Sequence, residues 1–361
     1  MDKEKTDKAS RAQYSTKIRE DFPETLVFGD QTYIKKLSMR YGENPGSPAA
    51  FYQEQGASGP NMASVQVLQE GSKGLSYINV GDMDLGQRLA KKLTEANPGR
   101  SVGVIIKHEM PSGVALGGSS LEAFTKAWQC DPLSNFGSVD VFNSPVNADL
   151  AQLLTESVRN IEVVFAPEYS PEALSVLANR KSLRVVRMTA PIAEPALDSG
   201  LEFKRVAGGL LLQKRFETKI VSGDFVDVVS KRRPTSDEVA AAIFNWTVAC
   251  FTRSNAVIIG LADKVHGIGS GQRSRIDSAE DAIKLSRRGY GPQGCFMASD
   301  AFMPFPDVVE LAAANGITGI IYPLGSVRDQ EVIDRADALN LTMLATRKPG
   351  ETDCERCFLH R

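Results

Sequence analysis

The pattern of apolar and polar positions between residues 82 and 188 alternates short apolar runs with longer amphipathic stretches. The apolar runs are bounded by Gly, Pro, Ser or Asn, as is typical of buried strands, and lie at residues 102–106, 139–142, 161–165 and 183–188. Helical spacing is found between them, at residues 82–97, 120–128 and 147–158 and after Ser170-Pro171. Strands alternating with helices of this length predict a mostly parallel sheet with helices on both faces.

The same alternation returns after residue 234. Thr235-Ser-Asp-Glu238 has the spacing of a capping box and predicts a helix over residues 238–251. Further strands are predicted at residues 256–261, 295–297, 317–322 and 341–345, and further helices at 278–287, 307–314 and 327–339. The two halves therefore predict α/β layers of similar size. A duplicated fold and a chance likeness both remain open, because the evidence is one pair of short Asp- and Phe-containing stretches, at residues 131–137 and 299–305.

Breaks in the pattern give the expected domain limits. Residues 1–24 are dense in charge and predict a solvated arm, and residues 25–37 predict a hairpin around Gly29-Asp30. Residues 197–234 interrupt the alternation. We therefore expect a first α/β domain over residues 25–215 and a second over residues 216–361.

Composition narrows the function classes. Lys plus Arg (42) nearly balances Asp plus Glu (44) in the 361 residues, so no overall field draws the chain to nucleic acid or to an anionic membrane. No apolar stretch approaches the roughly 18 residues of a membrane span, and the first residues lack a signal-peptide core, so a cytoplasmic location is expected. Only Cys354 and Cys357 have metal-like spacing. Since further ligands at comparable spacing are absent from the sequence, no metal is predicted.

The strongest candidate for chemistry is Lys107-His108, at the end of the predicted strand 102–106. Ligands of open α/β sheets bind at such strand ends, and a fixed cation beside a titratable base suits proton transfer. Gly113 and Gly117 are expected to let backbone approach a ligand. The alternative is a Lys-His pair that merely faces water.

Two weaker candidates lie in the second half. Residues 266–275 predict a glycine loop ahead of a helix, which either holds an anion or is a plain tight connection. Asn255 precedes a predicted strand and either contacts a ligand or caps backbone groups.

Seven motifs, in order along the chain, resemble one family. They are Arg40-Tyr-Gly-Glu-Asn-Pro45, Lys107-His108 with Pro111-x-Gly113, Asp131-Pro-x-Ser-x-Phe-Gly137, Ser254-Asn255, Gly267-Ile-Gly-Ser-Gly-Gln-x-Ser-Arg275, Ser299-Asp-Ala-Phe302, and Arg356-x-Phe358-x-His360. The family is the transformylase half of the bifunctional AICAR transformylase/IMP cyclohydrolase. The resemblance implies two tandem cytidine-deaminase-like α/β/α sandwich domains, in a homodimer with active sites at the subunit interface. The chain resembles a stand-alone transformylase, without a cyclohydrolase counterpart.

The resemblance also implies a reaction. A formyl group passes from 10-formyltetrahydrofolate, the co-substrate, to the 5-amino group of AICAR, giving FAICAR. Carried over, His108 is the general base, Lys107 stabilises developing charge, and Asn255 hydrogen-bonds the reacting groups.

The resemblance assigns binding residues as well. Those expected to contact AICAR are Arg40 and Tyr41 (from the partner subunit), Phe136, Gly137, Glu162, Phe302 and Arg356. Those expected to contact the folate are Arg275, Ile276, Phe305 and Asp307. The chain departs from the family pattern at several positions, including Glu162 in place of Asp, and it is short between residues 275 and 295. The AICAR side is therefore better supported than the donor side.

Three rivals remain. The same substrate could receive its formyl group from another donor, or the chain could be a non-catalytic purine-nucleotide sensor. His108-Glu109 and Cys354-x-x-Cys357 also raise a zinc-deaminase-like enzyme, but Asp353 stands where that motif needs proline.

Overall fold

The computed structural model describes residues 21–59, 61–188, 201–214, 222 and 226–346. It divides into two compact units. The first comprises Met1–Arg88, Ile106–Glu109 and Gly137–Leu197, and the second comprises Leu89–Ile105, Met110–Phe136 and Asp198–Arg361. Residues 110–136, which the predicted boundary gives to the first domain, thus belong to the second unit. Within the described residues, no helix is both long and apolar enough to cross a membrane.

The elements are numbered in chain order. The helices are α1 (Tyr77–Ala96), α2 (Ser120–Cys130), α3 (Ala148–Thr155), α4 (Pro171–Leu177), α5 (Ser236–Ala249), α6 (Arg275–Ser286), α7 (Asp307–Ala314) and α8 (Asp329–Ala338). The first strands are β1 (Thr25–Phe28), β2 (Gln31–Met39), β3 (Ala49–Glu54), β4 (Gln66–Gln69), β5 (Ser101–Lys107), β6 (Met110–Gly117), β7 (Val139–Phe142), β8 (Val163–Ala166) and β9 (Arg184–Arg187). The remaining strands are β10 (Leu201–Val206), β11 (Gly209–Lys214), β12 (Asp227–Val228), β13 (Val257–Leu261), β14 (Lys264–Gly269), β15 (Phe296–Ser299), β16 (Gly319–Tyr322) and β17 (Thr342–Ala345).

The order of elements repeats. The series α1-β5-β6-α2-β7-α3-β8-α4-β9 returns as α5-β13-β14-α6-β15-α7-β16-α8-β17. The sequence stretches used to predict duplication do not correspond in this repeat, however. Residues 131–137 precede β7, whereas residues 299–305 follow β15. The repeat is therefore one of topology, and of the two explanations left open for the likeness of these stretches, chance is the one that fits their positions.

The first unit contains the predicted parallel strands. β7 pairs with β8 and β8 with β9 in parallel, while β4 closes the edge antiparallel to β9. Asn147 and Ser170 cap α3 and α4 through their side-chain oxygens, and Pro171 begins α4 as predicted. A separate antiparallel sheet, β1-β2-β3, contains the predicted hairpin, with Gly29 at φ 64° in its turn.

The second unit holds a mixed sheet in the order β12-β17-β16-β15-β13-β14-β6. β15, β16 and β17 are parallel, but β13 runs antiparallel to both β14 and β15. The mixed pairing arises because the two residues between β13 and β14 allow only a hairpin. The capping box is confirmed, with Thr235 and Glu238 bonded reciprocally.

Glycines let helices pack close to two strands of the second unit. A Cβ on Gly113 would lie 2.1 Å from the Ala127 carbonyl oxygen of α2, and one on Gly267 would lie 2.0 Å from that of Ala282 in α6. Gly117 and Gly269 face the same two helices. Gly113 and Gly117, which were predicted to admit a ligand, thus admit α2 on the side where a Cβ would stand. The predicted glycine loop is shorter than expected: residues 266–269 lie in β14, and residues 270–274 connect that strand to α6.

Candidate functional site

Lys107 and His108 lie at a tight turn of the first unit. β5 ends at Lys107 and β6 begins at Met110, so His108 and Glu109 form the connection. Both have left-handed backbone, with φ 55° and 57°, as in a two-residue hairpin loop. The predicted open end of a parallel strand is thus a hairpin tip. The His108 side chain at this tip is exposed, so its imidazole is accessible to a ligand.

Polar side chains buried on α1 lie near this turn, and sequence reasoning missed them. Asn79 and Asp82 are each 2% exposed, three residues apart on one helix face. The Asn79 amide donates to Glu162 Oε2 at 3.1 Å, and Asp82 Oδ1 accepts from the Glu109 N–H at 2.6 Å. The sequence feature that could have revealed them is their spacing of three residues, which puts two polar side chains on one helix face among apolar neighbours.

Cationic side chains of the first unit gather at Glu162. Arg184, at 5% exposure, lies 3.5 Å from the Glu162 carboxylate, and burial lowers the pKa of Arg184. Arg40 and Tyr41 interact electrostatically with Arg184. Arg40 Nη2 donates to the Tyr41 hydroxyl at 2.8 Å, whereas no described residue accepts from its buried Nε and Nη1. A guanidinium group with unused donors, beside a second cationic side chain, suits an anionic group such as a phosphate.

A buried polar network of the second unit fixes Asn255. Its amide nitrogen donates to the Gln272 carbonyl at 2.8 Å, and its oxygen accepts from Arg275 Nη2 at 2.7 Å. Arg275 Nη1 also donates to Ser299 Oγ at 2.9 Å and pairs with the fully buried Asp300. Since an amide carries two N–H donors, one remains for a ligand. Arg275 is 9% exposed, so its guanidinium serves chiefly to orient Asn255.

The remaining candidates of the second unit are three exposed aromatic rings, an aliphatic side chain and the residue that begins a helix. Phe136, Phe302 and Phe305 are 57%, 37% and 51% exposed, and the Arg328 guanidinium lies 4.9 Å from the Phe305 ring centroid. Asp307 begins α7 and accepts from its neighbour's N–H at 2.8 Å. Ile276 packs against the core of the second unit. Exposed rings beside a cation suit a flat heteroaromatic ligand.

The structure therefore groups the candidates within each unit. The first unit holds Arg40, Tyr41 and Glu162 about Arg184, together with the Lys107-His108 turn and, at φ 85°, Gly137. The second joins Asn255 to Arg275. Arg356 lies outside the described residues, as do Cys354 and Cys357. Across the described part of the chain, no group of three or more His, Cys, Asp or Glu side chains is placed to hold a metal ion.

Most of the chain matches one known protein family. The AICARFT/IMPCHase bienzyme family matches residues 6–285. The chain belongs to this family. The matched residues include the Lys107-His108 turn, the Arg40 and Glu162 surroundings and the Asn255–Arg275 pair. Phe302, Phe305 and Asp307 lie beyond the match, so their place in an AICARFT/IMPCHase site rests on their motifs alone.

Proposed function

We propose that the protein transfers a formyl group from 10-formyltetrahydrofolate to the 5-amino group of AICAR, giving FAICAR in purine biosynthesis. The observation that carries the proposal is the exposed His108 beside Lys107 on a fixed hairpin turn, in a chain of the AICARFT/IMPCHase family. The amine nitrogen forms a bond to the formyl carbon while the bond from that carbon to folate N10 breaks. His108 takes the amine proton, and N10 gains one as tetrahydrofolate leaves.

The need for a base follows from the substrate. The 5-amino lone pair is delocalised into the imidazole ring, so nucleophilic attack requires loss of an N–H proton. His108 supplies that step, and Lys107 stabilises negative charge on the formyl oxygen and the departing nitrogen. Asn255 supplies a hydrogen bond to the reacting groups, and its hydrogen bonds to Gln272 and Arg275 support a fixed orientation for it.

Binding of AICAR is assigned to the first unit's cationic group and to residues that border the imidazole. The unused donors of Arg40 support phosphate binding by Arg40 with Tyr41, assisted by Arg356. Glu162, held by Asn79 and Arg184, is positioned to accept from an amide such as the carboxamide of AICAR. Phe136, Gly137 and Phe302 would border the ring.

Binding of the folate is assigned to the second unit. Phe305 offers an exposed ring to the pterin, and Asp307 a carboxylate to its amino groups. Ile276 and Arg275 complete this assignment, with Arg275 acting chiefly through Asn255.

The domain architecture and the oligomeric state are proposed as well. Two tandem cytidine-deaminase-like halves are supported by the repeated series of nine elements. A homodimer follows from the resemblance, with Arg40 and Tyr41 of one subunit serving the partner's site.

The test is turnover by the purified full chain with AICAR and 10-formyltetrahydrofolate, followed as tetrahydrofolate release. We expect His108→Ala to lower kcat by roughly two orders of magnitude or more, the usual size of a general-base effect. Lys181→Ala, at an exposed lysine remote in sequence from the motifs, is the matched surface control and should retain full activity. AICAR binding without turnover would favour the nucleotide sensor, and turnover that needs formate and ATP would refute the folate donor.

A further inference from the structure

A buried carboxylate lies against the hairpin turn that presents His108. Asp82, on α1, is 2% exposed, and its Oδ1 accepts the Glu109 N–H at 2.6 Å. The backbone of His108 also acts on this carboxyl group and favours its ionised form. The Asp82 carboxyl therefore interacts with the backbone of both turn residues.

The turn needs such a partner. His108 and Glu109 both have left-handed backbone, with φ 55° and 57°, which side chains other than glycine seldom adopt. Conformations of this kind persist where surrounding contacts impose them. The side chain of Glu109 also lies against α1, since a Cβ on Gly81 would meet Glu109 Oε1 at 2.6 Å.

We propose that Asp82 is a positioning residue that fixes the His108-Glu109 turn and so aims the His108 imidazole at the substrate amine. The inference rests on the formyl transfer proposed above. At 2% exposure Asp82 is too deeply buried to contact a substrate, so its effect passes through the backbone of the turn.

The charges about Asp82 favour its neutral form. Burial above all, with the nearby carboxylates of Glu109 and Glu162, raises the pKa of Asp82 to about 6, against the opposing effect of hydrogen bonding from the turn backbone. Of these groups, Glu162 is in turn bound by the Asn79 amide on α1 and paired with Arg184 on β9. Because an ionised carboxylate accepts hydrogen bonds more strongly, the hold on the turn is full above about pH 6 and weakens as pH falls through that value.

The variant that tests this is Asp82→Asn, which keeps the shape of the side chain and removes its charge. Its matched control is Asp84→Asn, two residues along α1, where the carboxylate is more exposed and lies 3.7 Å from Arg88. We expect Asp82→Asn to lower kcat about tenfold to a hundredfold, the effect of misplacing a catalytic group, while the KM for AICAR changes less than twofold. In a plot of kcat against pH, the fall on the acid side should show one ionisation fewer for Asp82→Asn than for wild type. Asp84→Asn should behave as wild type.

Equal kcat and equal pH profiles in the two variants would overturn the inference. A readout independent of turnover keeps it separate from the proposed function: the His108 ring proton signal, identified by its loss in His108→Ala, should shift in Asp82→Asn and not in Asp84→Asn. An unmoved signal overturns the positioning role even if wild type proves inactive as a transformylase. If Asp82→Asn does not fold, the Glu109 amide signal of wild type must follow an ionisation near pH 6, and a flat titration there refutes the proposal.

Discussion

Replacing Gly113 with alanine tests the close packing of α2 on β6. An added Cβ would lie 2.1 Å from the Ala127 carbonyl oxygen and 2.9 Å from its carbon. Ordinary contact begins near 3.4 Å, so the helix backbone must move by 3.4 − 2.1, about 1.3 Å. Backbone cannot rotate away as a flexible side chain does. The buried side chains of α2, including Phe124 and Ala127, must move with it.

The expected cost follows from this displacement. Overpacking of a well-packed core costs about 1–3 kcal/mol and sometimes more. Removing glycine also restricts the unfolded chain, which offsets about 0.4–1 kcal/mol. We therefore expect Gly113→Ala to lower the free energy of unfolding by about 2 kcal/mol, equivalent to roughly 4–8 °C in Tm for a unit of this size.

The assay is urea unfolding followed by circular dichroism at one chain concentration. Gly118→Ala is the matched control, because its Cβ would meet only the flexible Glu122 carboxylate, at 3.4 Å. Its free energy of unfolding should stay within about 0.5 kcal/mol of wild type. If both variants unfold at the same urea concentration, the glycine does not serve helix packing and the reasoning is wrong.

Three further predictions concern buried polar groups and a helix cap. Asp140 is fully buried on β7, and burial raises its pKa from the ordinary 3.8 to about 7. The stability that its neutral form contributes is therefore complete below pH 3.8 and is lost as pH rises through 7. Unfolding curves between pH 4 and 8 should show this loss in wild type but not in Asp140→Asn, and identical slopes would refute it. Asp300→Asn leaves the buried Arg275 without its countercharge and should cost about 3 kcal/mol in urea unfolding, whereas a cost below 1 kcal/mol would mean that the pair is dispensable. Thr235→Ala removes the capping box of α5 and should cost about 1 kcal/mol, with recovery in Thr235→Ser; equal losses in both would point away from the hydroxyl.

Much of the fold could be predicted because the signals are local. The strand at residues 139–142 and the helix at 307–314 have the predicted bounds, and the capping box at Thr235 was legible in four residues. Hydrophobic spacing, caps and breakers act within one or two turns of chain, so they are readable without partners. The starts of two helices were predicted less well. Helix α1 begins at Tyr77, five residues before the predicted start, and α6 begins at Arg275, three residues before it.

The candidate site divides in the same way. The motifs placed Lys107, His108, Asn255 and Arg275 in the candidate set, and residue type alone gave them possible chemistry. The role of Arg275 in orienting Asn255 could not be predicted, because the pair is formed across twenty residues by folding. Arg184 escaped notice because nothing in its immediate sequence indicates a charged group that folding buries, and the helical spacing of Asp82 and Asn79 does not by itself show that they are buried.

The sequence by itself therefore determined the alternation of helices and strands, their main caps, the family and the reactive residue types. Tertiary structure decided which segments the glycines bring close, since Gly113 and Gly267 let helices pack against their strands. It also decided that Lys107-His108 is a hairpin tip secured by Asp82 instead of the open end of a strand. The physical reason is that close approach and burial depend on which distant segments meet, and a linear pattern does not contain those distances.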